Sequence, residues 1–152
     1  MTAATAQIRW IQRSDMYDVQ QIENASSDDP WTDTDFTKCL RKRNVIGCVL
    51  ETEFNPLGFM IYELHKSSLL VVKFAVAPIE RRNGYGRQMV QRLVDKLSHQ
   101  RRTEIEIVIP ESNLQSQLFF SACGFNAEEI RDDEYVFRYW VRNVAMKETV
   151  TT

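Results

Sequence analysis

Several signals common in proteins are missing from this chain. Its 152 residues hold three cysteines, Cys39, Cys48 and Cys123, an odd number without CxxC spacing. That argues against a disulfide framework and a metal site, and it fits a reducing, cytoplasmic setting. No apolar run approaches the roughly 20 residues that a membrane helix needs, so no membrane partner is expected. Met1–Gln7 has no charged start followed by an apolar stretch, as a secretory signal would. There is no repeat, low-complexity block or linker. The formal net charge is −2 with Lys and Arg spread along the chain, so the broad basic face of a nucleic-acid partner is absent. The short clusters Arg41-Lys42-Arg43 and Arg101-Arg102 read as solvated helix ends.

What is present fits one globular domain. Hydrophobic residues make up 43% and charged residues 26%, enough apolar content for a real core at this length. The domain is expected over residues 8–144, with 1–7 and 145–152 as tails. Ile8 to Gln12 reads as a short strand. Ser14 is a plausible cap for a helix to about Ala25, with Met16, Val19 and Ile22 at helical spacing. Thr32-Asp33-Thr34-Asp35 approximates a capping box ahead of Phe36 and Leu40. Val45–Glu53, Gly58–Leu64 and Leu69–Ala77 read as three strands, the last nearly all apolar and so central. A helix follows from Gly86 to about His99, with Met89, Leu93 and Leu97 in one row. Ile105, Ile107 and Ile109 alternate as a strand. A helix over Asn113–Ala122 stops at Gly124, and Phe125–Ile130 with Tyr135–Val144 close a hairpin. The order β-α-α-β-β-β-α-β-α-β-β is α/β, with a mixed sheet.

The densest chemistry lies between the third of those strands and the helix after it. Val76-Ala77-Pro78 leads into Glu80-Arg81-Arg82-Asn83-Gly84-Tyr85-Gly86 and then the amphipathic helix. A helix N-terminus offers unpaired N–H groups and the positive end of the dipole. Two glycines let backbone approach a ligand and the arginines add charge, so this turn suits a pyrophosphate. A dinucleotide-binding fold is the main rival. Its fingerprint needs a third glycine where Met89 stands, and a first strand where three already precede. A purely structural turn is the bland alternative.

Arg81, Gly84 and Gly86 match the acetyl-CoA signature Gln/Arg-x-x-Gly-x-Gly/Ala, and Asn113, Ser116, Phe119-Phe120 and Gly124-Phe125 match Asn-x-x-Ala-x-x-Leu-Tyr-x-x-x-Gly-Phe. With the element order, the chain resembles the GNAT family of N-acetyltransferases over roughly Ser14 to Phe125. The segment from Asp15 through Pro30-Trp31-Thr32 and Phe36 is similar to its ribosomal-protein N-terminal (RimI-type) branch. The resemblance implies a single-domain GNAT fold with about seven strands and four helices. It implies acetyl-CoA as co-substrate and no metal. The cofactor would lie along Phe74, Ala75, Val76, Arg81, Arg82, Asn83, Gly84, Tyr85, Gly86, Asn113 and Phe120. The backbone N–H of Val76 would polarise the thioester carbonyl. The acceptor would be a primary amine, on a peptide N-terminus or a small molecule.

Two positions depart from the branch. Its general-base Glu, five residues before the motif Asn, is Val108 here, and its general-acid Tyr is Phe120. Neither can move a proton. Glu106 shares the strand face of Val108 and is the remaining candidate, acting through a water; a solvent-facing Glu is its alternative. His65 and Glu111 read as exposed strand-end and helix-start residues. Trp31 either lines an acceptor groove or staples the second helix. Only Arg131-Asp132-Asp133-Glu134 separates the last two strands, where the branch has a longer loop shaping the peptide site. A non-catalytic acyl-CoA-binding module therefore stands beside the enzyme reading.

Overall fold

The computed structural model describes residues 6–53 and 55–142. The elements are β1 (Gln7–Trp10), α1 (Met16–Ser26), α2 (Asp33–Leu40), β2 (Val45–Glu51), β3 (Pro56–Leu64), β4 (Ser68–Val76), α3 (Tyr85–Val94), β5 (Glu104–Pro110), α4 (Leu114–Ala122), β6 (Asn126–Arg131) and β7 (Glu134–Trp140). Short 3-10 turns precede α1 (Arg13–Asp15) and follow β4 (Pro78–Glu80). Among the described residues, seven strands and four α-helices stand in the expected order. The strands form one mixed, mostly antiparallel sheet, β1-β2-β3-β4-β5-β7-β6. Gln7, expected in the tail, instead opens β1 opposite Glu51. The expected tails at 1–5 and 145–152, and the last two residues of the expected final strand, lie outside the described residues.

The chain divides into two compact units, each described by itself. One holds residues up to 64 with 71–92; the other holds 65–70 with those from 93 on. In the first, β1, β2 and β3 form antiparallel ladders. Val19 and Ile22 of α1 and Phe36 and Cys39 of α2 bury against Val49, Phe59 and Ile61. Each large apolar side chain so buried contributes about 1.5–3 kcal/mol. A Cβ added at Gly58 would lie 2.9 Å from the Ala75 carbonyl oxygen and 3.2 Å from Met89 Sδ, so glycine lets β3 seat closely against β4 and α3.

In the second unit, β7 pairs antiparallel with both β5 and β6. Ile105, Ile107 and Ile109 are buried and alternate with partly exposed neighbours, the expected period of two. Asn113 caps α4, its side chain accepting from Ser116 N–H at 3.1 Å. Gly124 ends α4 at φ +98°, as a C-cap glycine does. The helix expected to reach His99 stops at Val94 instead. The next N–H groups bond three residues back, Lys96 to Leu93 and Leu97 to Val94, each at 3.0 Å. That tighter winding turns the chain out of the α-helix before β5.

Candidate functional site

The glycine-rich turn is built in the first unit, from the end of β4. Ala77 N–H donates to the Leu57 carbonyl at 2.7 Å, which holds the strand's last peptide in the sheet. Pro78 then starts a 3-10 turn, with Glu80 N–H bonding Ala77 O at 2.8 Å. Arg82 (φ +71°) and Gly84 (φ +82°) both adopt the left-handed region. Left-handed backbone costs a non-glycine residue roughly 1–2 kcal/mol, and such strain gathers at ligand clamps. α3 follows at once, its first helical bond running from Gln88 N–H to Gly84 O at 3.1 Å. The first N–H groups of an α-helix point out of its N-terminus rather than along its hydrogen-bond ladder. Arg82, Asn83 and Gly84 are exposed, while Tyr85 and Gly86 are half-buried. A Cβ at Gly84 would meet nothing within 4 Å, so the turn opens to solvent on that side. A turn of this kind beside an arginine can hold an anionic group.

Arg81 is turned differently. Its Nε donates to Val76 O at 3.2 Å and its Nη2 to Ser26 Oγ at 3.3 Å. Phe74 and Ala75 are half-buried on β4 and Val76 is buried.

The first unit also holds a constellation that the sequence did not announce. Glu23 on α1 is 2% exposed. Its Oε2 accepts from Trp31 N–H at 2.9 Å and from Lys73 Nζ at 2.5 Å. The Lys73 ammonium also lies 4.8 Å from the Trp31 ring centroid, and Gln20 Nε2 donates to Trp31 O at 2.7 Å. The one advance signal is a lysine inside the apolar run of β4. Buried charge of this kind is tolerated because it is paired and hydrogen-bonded. Trp31 packs edge-on to Phe36, ring centroids 5.2 Å apart, across a Thr32–Asp35 capping box, so it is the staple of α2. It also lines a recess of about 260 Å³ with Asp35, Lys38, Cys39, Lys42, Glu63 and Val72.

In the second unit, Glu106 is not a solvent-facing carboxylate alone. Its Oε1 accepts from Arg138 Nε at 3.0 Å and Nη2 at 2.9 Å, across the β5–β7 register. Arg138 also reaches Glu104, Glu128 and Glu129. Burial pushes the Glu104 carboxyl above its usual range, and Glu106 and Glu128 add repulsion that Arg138 partly offsets. Val108 sits opposite Val136, leaving no acid or base at that pair. Phe120 is 3% exposed and packs edge-on to Phe119 and Phe125, centroids 5.0 and 5.1 Å away. His65 and Glu111 are exposed, as expected. Among the described residues, no group of three His, Cys, Asp or Glu is placed to hold a metal ion. No described helix is long and apolar enough to cross a membrane.

No curated protein sequence matches the chain. Solved structures do. The ribosomal-protein-S18-alanine N-acetyltransferase of Escherichia coli superposes with a TM-score of 0.80 at 19% identity, covering 90% of this chain and 94% of that one. Ard1 of Thermoplasma volcanium gives 0.79 at 18% identity, over 91% and 99%. The PaiA N-acetyltransferase of Thermoplasma acidophilum, solved with coenzyme A, gives 0.74 at 10% identity, over 90% and 99%. At these identities the likeness is one of fold. The acetyltransferase (GNAT) family itself matches residues 5–125. With two family motifs in place and the expected element order around them, this chain belongs to the GNAT family of acetyltransferases.

Proposed function

We propose that the chain is an acetyl-CoA-dependent N-acetyltransferase that acts on a primary amine by direct attack in a ternary complex. The observation that carries the reading is the Arg82–Gly84 turn, left-handed at both ends and leading straight into α3. Acetyl-CoA, when bound, supplies a thioester: the amine lone pair forms the N–C bond, the C–S bond breaks, the thiolate leaves, and the nitrogen sheds a proton. Arg82, Asn83, Gly84, Tyr85 and Gly86 cradle the pyrophosphate, mainly through backbone N–H groups. Phe74 and Ala75 flank the pantetheine arm along β4. The backbone N–H of Val76 polarises the thioester carbonyl. Asn113 and Phe120 are proposed as further cofactor contacts on the family motif alone; since the Asn113 Oδ1 caps α4, that contact falls to its amide nitrogen.

Glu106 is proposed to take the proton through a water. Arg138 holds it by one oxygen, which fixes the carboxylate. Such groups contribute typically 10²–10⁴-fold. Glu106→Gln keeps an acceptor for Arg138, so a fall in turnover reports on proton transfer. Turnover equal to the parent across pH removes Glu106 from the mechanism.

The acceptor is a peptide N-terminus or a small amine; the short β6–β7 turn lacks the loop that shapes the peptide site in the resembled branch, which counts against a ribosomal-protein acceptor. The three cysteines form no disulfide, which fits a cytoplasmic location. A second reading, a non-catalytic acyl-CoA-binding module, is favoured by one feature: Val108 and Phe120 carry no proton, and Glu106 is already paired. Calorimetry with acetyl-CoA on the parent and Gly86→Val tests the shared part. The branched side chain should abolish most of the affinity while the fold survives. Unchanged binding in the folded variant overturns the assignment. Turnover of N-terminal peptides, polyamines or amino sugars then separates enzyme from module.

A further inference from the structure

The direction of the Val76 N–H depends on the two peptide planes that flank Val76. The first joins Ala75 to Val76 and carries that N–H. Its carbonyl, Ala75 O, is the atom that a Cβ on Gly58 would approach to 2.9 Å. Only a residue without a side chain lets β3 lie there undisturbed. The second plane joins Val76 to Ala77 and is held at both polar ends. Its N–H donates to Leu57 O at 2.7 Å, and its carbonyl accepts from Arg81 Nε at 3.2 Å. Arg81 reaches on with Nη2 to Ser26 Oγ on the last turn of α1. The guanidinium of the signature arginine thus bridges two neutral oxygens of the protein.

We propose that Arg81 and Gly58 are positioning residues: together they fix both peptides around Val76 and so aim its N–H, and Arg81 does this in place of neutralising the pyrophosphate. This rests on the acetyltransferase reading, in which the Val76 N–H meets the thioester. The physical basis is geometric. A guanidinium is a rigid fork that can span two acceptors, whereas an ammonium is a point charge on a flexible stem. Small errors in the aim of an oxyanion donor are costly because catalysis by such donors depends on preorganisation.

Arg81→Lys and Arg81→Met separate the alternatives. If Arg81 is a clasp, both variants lose it. Acetyl-CoA affinity stays within about fivefold of the parent, as for loss of an exposed contact. Turnover on the accepted amine falls about tenfold to a hundredfold in both, with the acceptor KM little changed. Hydrogen exchange at the Ala77 amide speeds up in both variants, whether or not any amine is turned over. If Arg81 is instead a phosphate ligand, Arg81→Met weakens acetyl-CoA binding more than tenfold, Arg81→Lys retains it as a phosphate-binding charge, and Ala77 exchange stays at the parent rate. That pattern overturns the proposal. Gly58→Ala is the second arm: in the folded variant it should slow turnover with acetyl-CoA affinity little changed, and parent-like turnover there removes Gly58. A parent that binds no acetyl-CoA defeats the acetyltransferase reading, while Ala77 exchange still reports on the clasp.

Discussion

Gly84 and Arg82 share left-handed backbone, yet only Gly84 holds it without strain. A Cβ there would meet nothing, so Gly84→Ala should cost backbone strain alone, about 1–2 kcal/mol by chemical denaturation. A much larger loss would mean that the turn is packed more tightly than its open side shows. Phe120 makes the opposite case. Its position in the motif was legible, but its burial between Phe119 and Phe125 was not. Phe120→Tyr restores the hydroxyl usual at this family position, and it also buries a polar group. The free variant should melt lower, by about 1–3 kcal/mol of stability if the hydroxyl finds no partner. If the chain is an enzyme with a weakened acid step, the same variant should turn over amine faster at unchanged acetyl-CoA affinity. No turnover by parent or variant, with tight acetyl-CoA binding intact, supports the module.

Helix α2 was the most legible element because its signals are local. Thr32 Oγ1 accepts from Asp35 N–H at 3.3 Å, and the Asp35 carboxylate accepts from Thr32 N–H at 2.9 Å. Those bonds from Thr32 hold the Asp35 carboxyl below its usual range. Thr32→Ala should cost about 1 kcal/mol and fray α2 first, which amide exchange along Asp33–Leu40 would register. An unchanged melting curve would show that Trp31 and Phe36 alone hold the helix. α4 allows the same test of Asn113. Asn113→Ala should lower stability by about 1 kcal/mol in the absence of any cofactor, because the cap is lost. Stability equal to the parent would show that the cap contributes nothing. The end of α3 was not legible, since Leu97 continues the apolar row and only the three-residue hydrogen bonds stop the helix.

Stability of the chain should depend on pH in part through the cluster around Arg9. Arg9 donates to Asp15 with both terminal nitrogens at 2.8 Å and to Glu51 with Nε at 2.7 Å. Asp15 is buried, and its carboxyl is held below the ordinary 3.8, first by the Arg9 hydrogen bonds and then by the Gln12 N–H. A depressed carboxylate contributes stability that is present above its unfolded pKa and lost as pH falls through the lower folded value. The parent should therefore weaken as pH drops below about 4. Asp15→Asn should be less stable at neutral pH and show a flatter acid limb in denaturation followed from pH 7 to 2. An equally steep limb would assign acid loss to other carboxylates.

The contiguous features were set by local chemistry. Period, caps and turn residues act within a few positions, so the element order, the Thr32 box, the Gly124 stop and the Arg81–Gly86 turn could be read directly. The pairings across long separations could not. Glu23 meets Lys73 fifty residues on, Arg9 meets Glu51 forty-two on, and Glu106 meets Arg138 thirty-two on. Each depends on which strands the fold brings together, and nothing in the local sequence of a lone Glu distinguishes a solvated carboxylate from a partner of a distant arginine. The same holds for Arg81. Its place in the signature was plain, but the direction of its guanidinium, toward Val76 and Ser26, depended on where α1 ends beside β4.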